Sequence, residues 1–168
     1  MRGFVISHEL FAISFAETKR HPRHCLRMQN EPDDRRPFAL VVDDDFLILM
    51  DAMNILEEAG FRPLEAHNVD QAEAVLVDYA DEIVLLFTDV QMPGTRNGFD
   101  LARLTAERWP AIGILVSSGI ANPNPELMPE GAIFVRKPFS ADVIYDRLRV
   151  LLPEGQRPQP LSQKVREH

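Results

Sequence analysis

Apolar residues along this chain fall in short unbroken runs that alternate with segments of helical period. Phe38–Val42 (FALVV), Ile83–Thr88 (IVLLFT) and Ile112–Ser117 (IGILVS) are almost wholly apolar, with no wet face. Runs of that length and continuity suit strands covered on both sides. Ala132–Val135 (AIFV) reads as a further strand, and Phe61–Ala66 (FRPLEA) as a weaker one whose Pro63 fits a sheet edge. Between them lie helix patterns. One runs from Phe46 to about Ala59 and is stopped by Gly60. In the next, Ala72, Val75, Leu76 and Tyr79 recur at i, i+3, i+4 and i+7. A third covers about Phe99–Arg108 and ends before Pro110, and a last one is marked by Val143, Ile144, Leu148 and Leu151, with Ser140 as N-cap.

Buried strands alternating with helices predict an α/β domain with a doubly wound parallel sheet of five strands. The exception is GIANPNPELMPEGA (Gly119–Ala132), whose three prolines leave room for barely a turn of helix. The fourth crossover is therefore expected to be mostly loop. The regular zone spans 38–152. Residues 1–37 read as an N-terminal extension that is flexible or forms a short docking helix, with Phe4, Phe11 and Phe15 on one stripe; Met28 is an alternative start. Residues 153–168, polar and proline-containing, read as a flexible C-terminal tail.

Charge sharpens this division. Residues 1–37 carry seven Lys/Arg against five Asp/Glu, whereas 38–152 carry eight against nineteen. So acidic a body repels nucleic acid and anionic membrane, and attracts divalent cations or basic partners. Cys25 is the only cysteine, which excludes an intrachain disulfide or a multi-cysteine metal centre. His8, His21 and His24 lack a second ligand class at suitable spacing and read as a solvated basic segment. No run approaches the roughly 20 apolar residues of a membrane span, and His8 and Glu9 interrupt the only signal-like stretch. A cytoplasmic location is expected.

Ligands of open α/β sheets bind beyond the carboxyl ends of the strands. Those ends hold the chain's most concentrated chemistry. The first strand stops in Asp43 and Asp44, the third in Asp89, the fourth in Ser117, and the fifth in Arg136 and Lys137. Crowded carboxylates repel by about 4 kcal/mol per pair at 4 Å and an effective dielectric near 20, so the rim needs a cation. Hard oxygen donors suit Mg²⁺. A metal beside a spare carboxylate, a hydroxyl and a lysine is also equipment for phosphoryl transfer, with Asp89 as nucleophile. Asp45 reads as a solvated acid of the first helical turn.

LVVDDD, FTDVQMPG, ILVSSG and FVRKPF, in that order and at compatible spacings, resemble the receiver domain of two-component response regulators. The resemblance covers nearly all of 38–152 and implies the flavodoxin-like receiver fold. It implies that Asp43, Asp44, Asp89 and the backbone carbonyl of Gln91 hold Mg²⁺, and that Asp89 is the phosphoacceptor. It further implies that Lys137 contacts the phosphoryl group before a cis peptide to Pro138, with Ser117 and Phe134 at the switch positions. The partners implied are a sensor histidine kinase or histidine phosphotransfer protein and a downstream protein target. Such a protein is no enzyme in the usual sense, although it assists its own phosphorylation and dephosphorylation.

Three departures stand out. MPGTRNGFDL is one residue longer than the commonest spacing, the fourth crossover is proline-rich, and Phe134 lacks a tyrosine's hydroxyl. Sixteen residues follow Leu152, too few for a DNA-binding module, which leads to the expectation of a single-domain regulator. Two alternatives stand beside it. One is a degenerate receiver acting as an interaction scaffold. The other is a haloacid-dehalogenase-type phosphatase using Asp43 and Asp45, which leaves TDVQMPG unexplained and lacks an acidic pair after Lys137.

Overall fold

The computed structural model describes residues 35–119 and 125–163. The readings made for the histidines, Cys25 and the phenylalanine stripe near the start of the chain lie outside them. The strands are β1 (Phe38–Val42), β2 (Arg62–Ala66), β3 (Ile83–Asp89), β4 (Gly113–Ser118) and β5 (Ile133–Arg136). The helices are α1 (Phe46–Glu58), α2 (Val69–Tyr79), α3 (Gly98–Arg108), α4 (Ala141–Leu151) and α5 (Gln159–Gln163). The strands form one sheet in the order β2-β1-β3-β4-β5, and every pairing is parallel. This is the doubly wound, five-stranded parallel architecture expected from the alternating pattern.

Strand periodicity assigns the two layers. Ala39 and Val41 of β1, Leu85 and Phe87 of β3, Leu115 and Val135 pack with Leu49, Leu56, Ile144 and Leu148 of α1 and α4. Their neighbours Leu40, Val42, Leu86, Ile114 and Val116 pack on the other side with Ala72, Leu76, Leu101 and Ala102 of α2 and α3. Each fully buried aliphatic side chain contributes about 1.5–3 kcal/mol, which explains why every strand except the edge strand β2 carries no polar residue until its carboxyl end. Among the described residues the fourth crossover holds only one 3₁₀ turn, Pro125–Leu127, with Leu127 and Met128 lying half-buried beside the α2/α3 layer.

The expectation of a loose tail after Leu152 needs correction over 153–163. A 3₁₀ turn at Glu154–Gln156 leads into α5, and Leu161 is fully buried against the α1/α4 layer. Arg157 donates to the carbonyl of Leu152 at 2.7 Å and to that of Arg149 at 2.5 Å. Pro158 and Pro160 close over Gly60, where a Cβ would meet Pro158 Cβ and Pro160 Cδ at 2.8 Å. Gly60 also has φ +98°, so the turn between α1 and β2 needs glycine twice over. The polar composition hid this docking because a single leucine and two prolines carry it.

Replacing that leucine tests the docking. Leu161→Ala is expected to destabilise the domain by about 2–4 kcal/mol, the ordinary cost of a leucine-sized cavity, read as a lower urea midpoint. An unchanged midpoint would show that 153–163 adds nothing to the core.

Candidate functional site

The site lies where β1, β3, β4 and β5 end together. Asp43 follows β1, and its Oδ1 accepts the backbone N–H of Asp45 at 2.9 Å, fixing the turn. Asp45 is the N-cap of α1: its carboxylate accepts from the N–H groups of Leu47 at 2.9 Å and Ile48 at 3.3 Å. The three aspartates therefore divide their work. One caps a helix, as carboxylates at the positive helix end do, and two face the rim. Asp45 is exposed, as expected, and is in addition the cap of α1.

Asp89 ends β3 and pairs in register with Ser117 of β4. Asp43, Asp89, Ser117 and Ser118 are all buried, while Asp44 is exposed. Carboxylate oxygens of Asp43, Asp44 and Asp89 lie within 4.8 Å of one another. Lys137, only 13% exposed, places its Nζ 2.6 Å from Asp43 Oδ2 and 2.7 Å from Asp89 Oδ1. The Lys137 N–H donates to the Ser118 carbonyl at 2.9 Å, and the Lys137–Pro138 peptide is cis. The cation that the crowded acids require is thus supplied from a residue 94 positions along the chain from Asp43.

Burial pushes the Asp89 carboxyl above the ordinary carboxylate value. The hydrogen bond and charge of Lys137 and the Gln91 backbone N–H work against that push without reversing it, and the Asp43 charge adds to it. Burial also opposes the charge of Lys137, but its two carboxylate partners outweigh this and hold the ammonium above its usual value. The donor set fits a divalent cation. Two buried acids and one exposed acid offer hard oxygens at an open rim, with more negative charge than one lysine cancels.

Asp43, Asp44, Asp89, Ser117 and Lys137 meet at this rim. Gln91 is exposed in the loop after β3. Ser117 Oγ lies 3.5 Å from the Thr88 carbonyl, so it makes at most a weak hydrogen bond there. Phe134 pairs in register with Val116 and is half-buried against the α2/α3 layer.

Two supporting residues were not assigned roles from the sequence. Thr88 is fully buried and donates from Oγ1 to the Asp89 carbonyl at 3.0 Å. Gly98 opens α3 so close to β3 that a Cβ would lie 1.8 Å from the Asp89 carbonyl oxygen. Its N–H donates to the Val90 carbonyl at 3.0 Å, and Asn97 caps the helix in a reciprocal capping box with Asp100. The Asn-Gly pair before an amphipathic run was the available signal, and it marks helix and site together.

Two substitutions follow from this geometry. Gly98→Ala is expected to cost about 3 kcal/mol, at the upper end for overpacking, because the blocking atom is backbone; unfolding in urea reads it. Asp89→Asn is expected to stabilise the cation-free protein at pH 7. A raised folded-state value means that Asp89 binds its proton more tightly folded than unfolded. Its stabilising contribution is therefore complete below the ordinary value of 3.8 and lost as pH rises through the raised one. The advantage of the asparagine form should shrink as pH falls from 7 toward that range, in paired melting curves.

The family model for the response regulator receiver domain matches residues 39–149. The chain is 35% identical over 118 residues to the phosphate regulon transcriptional regulatory protein PhoB of Pseudomonas aeruginosa, covering 67% of this chain and 50% of that protein. It is 31% identical over 103 residues to the autoinducer 1 sensor kinase/phosphatase LuxN of Vibrio campbellii, covering 61% of this chain and 12% of that one. The chain thus spans half or less of the length of these relatives. Among solved structures, a response regulator receiver protein from Sinorhizobium medicae has a TM-score of 0.64 at 23% identity, covering 77% of this chain and 97% of that one. The chemotaxis protein CheY4 of Vibrio cholerae has a TM-score of 0.62 at 22% identity, covering 70% and 99%. The chain belongs to the response regulator receiver domain family of two-component signalling.

Proposed function

We propose that Asp89 accepts a phosphoryl group from a phosphohistidine on a sensor histidine kinase or histidine phosphotransfer protein. The modified domain then signals through altered protein contacts or passes the group on. The observation that carries this reading is the convergence of Asp89 with Lys137 at 2.7 Å beside two further acids at the strand ends.

Asp43, Asp44, Asp89 and the Gln91 carbonyl would hold Mg²⁺. When bound, that ion neutralises phosphoryl oxygens that the acids would otherwise repel. The chain's own residues do the rest. An Asp89 carboxylate oxygen attacks phosphorus, and the P–N bond to the donor imidazole breaks with its electron pair going to nitrogen. Lys137, now shared between Asp43 and Asp89, has a new anionic partner in the phosphoryl group. Ser117, whose contact with the Thr88 carbonyl is long, has a hydroxyl to donate. Both movements draw the ends of β4 and β5 inward. Half-buried Phe134, with no hydroxyl to anchor it outside, follows by burial alone. Most of the rate comes from positioning and charge neutralisation.

A docking surface for the donor adjoins the pocket. Phe46 and Leu47 at the start of α1 are 62% and 77% exposed, unusual for such large apolar side chains. Leu47 and Ile48 line a cleft of about 460 Å³ with Pro138 and Phe139, and Lys137 stands at its edge. A partner that covered this patch would bring its phosphohistidine to the acidic rim. No observation favours the scaffold alternative over this reading.

Intact-protein mass after incubation with acetyl phosphate or phosphoramidate tests the proposal. We expect a Mg²⁺-dependent gain of one phosphoryl group, sensitive to hydroxylamine and absent in Asp89→Asn. Labelling that persists unchanged in the mutant would overturn the assignment. If neither donor labels the wild type, beryllofluoride titration followed by NMR decides, and an unresponsive spectrum would leave the scaffold.

A further inference from the structure

The loop between β3 and α3, the one lengthened by a residue, is tied down from outside the site. Its fixed points near β3 are Val90, whose N–H donates to the Ser117 carbonyl at 2.9 Å, and Gln91, whose N–H turns to Asp89. At its other end Arg96 reaches across to α2. One guanidinium nitrogen meets Asp70 in the first turn of α2, and another lies 2.7 Å from Glu73 Oε2. Glu73 offers its second oxygen, Oε1, to Arg108 at the far end of α3, 3.3 Å away. A single carboxylate on α2 therefore holds both ends of α3. Only the Arg96 contact also holds the loop that returns to Gln91.

We propose that Arg96 is a positioning residue for the acidic pocket: its ion pairs with Asp70 and Glu73 set the Gln91–Thr95 loop and thereby raise the pocket's affinity for a divalent cation. The inference rests on the cation-binding reading of Asp43, Asp44 and Asp89. The loop carries the Gln91 carbonyl, and a ligand on a wandering loop pays an ordering cost each time the cation binds. An isolated exposed ion pair would do little. Arg96 instead uses its planar fork on two carboxylates one helical turn apart, which fixes direction as well as distance. Its effect acts through the backbone of Gln91, five residues away, and it does not touch the reacting atoms.

The sign of the effect separates this role from simple charge. Removing a cation near an acidic pocket strengthens divalent binding by Coulomb's law, whereas loss of the latch weakens it. Calorimetric titration of the full chain with Mg²⁺ alone, with no phosphodonor, reads the difference. Arg96→Gln is expected to weaken Mg²⁺ binding about three- to tenfold, below the 10–100-fold typical of groups bonded directly to a metal ligand. Arg108→Gln removes an equal charge from the same Glu73 and leaves the loop attached, so its affinity should stay level or rise slightly. Amide exchange over Gln91–Thr95 should quicken in Arg96→Gln alone. Affinity that holds or rises in Arg96→Gln, or falls equally in Arg108→Gln, overturns the latch. A wild-type chain that takes up no Mg²⁺ overturns the pocket reading itself, and the latch with it.

Discussion

Three carboxylates at the ends of adjacent strands cannot share a half-buried rim without a counter-charge, and this constraint organises the rest of the molecule. Asp43 and Asp89 are buried and face one another across Lys137, at 2.6 and 2.7 Å from its nitrogen. Bringing that nitrogen there requires β5 to run parallel beside β4, in the register that places Arg136 opposite Ser118. It also requires β3 to separate β1 from β4, so that the acids of β1 and β3 are neighbours. The strand order and the charge balance are thus one requirement seen from two sides.

One lysine does not finish the job. The pocket keeps a surplus of negative charge, and burial holds the Asp89 carboxyl above its ordinary value even with Lys137 attached. A site in that condition is tuned to gain from further positive charge. The protein tolerates the unfavourable arrangement because two well-filled apolar layers on either side of the sheet stabilise it independently. The concentration of uncompensated charge at a rim supported by an ordinary core is the expected pattern for a functional site.

Much of this was legible in the sequence, for identifiable reasons. Strands buried on both faces must be continuous apolar runs, so FALVV and IVLLFT announce themselves; their ends shift by at most a residue or so. The rim acids were legible because a charge directly after such a run has nowhere else to go. Contacts without a local signature were not legible. Arg96 meets Glu73 across 23 residues, and nothing in either neighbourhood names the other. Leu161 stands alone among polar residues, so its complete burial has no periodicity to betray it. The capping role of exposed Asp45 was not legible for another reason. A carboxylate at the start of a helix reads the same whether it caps or is solvated, until backbone angles decide.

The docked segment after α4 has a geometric consequence. Arg35–Pro37, where the described chain approaches β1, and Pro158–Pro160, at the start of α5, line the same hollow around Gly60. Gly60 precedes β2, so this hollow lies at the amino ends of the strands, at the opposite pole of the sheet from the acids. Arg35–Pro37 and Pro158–Pro160 therefore mark the floor of the domain, away from the rim. A surface tether or fluorescent label placed there would report a partner's arrival without standing in its path.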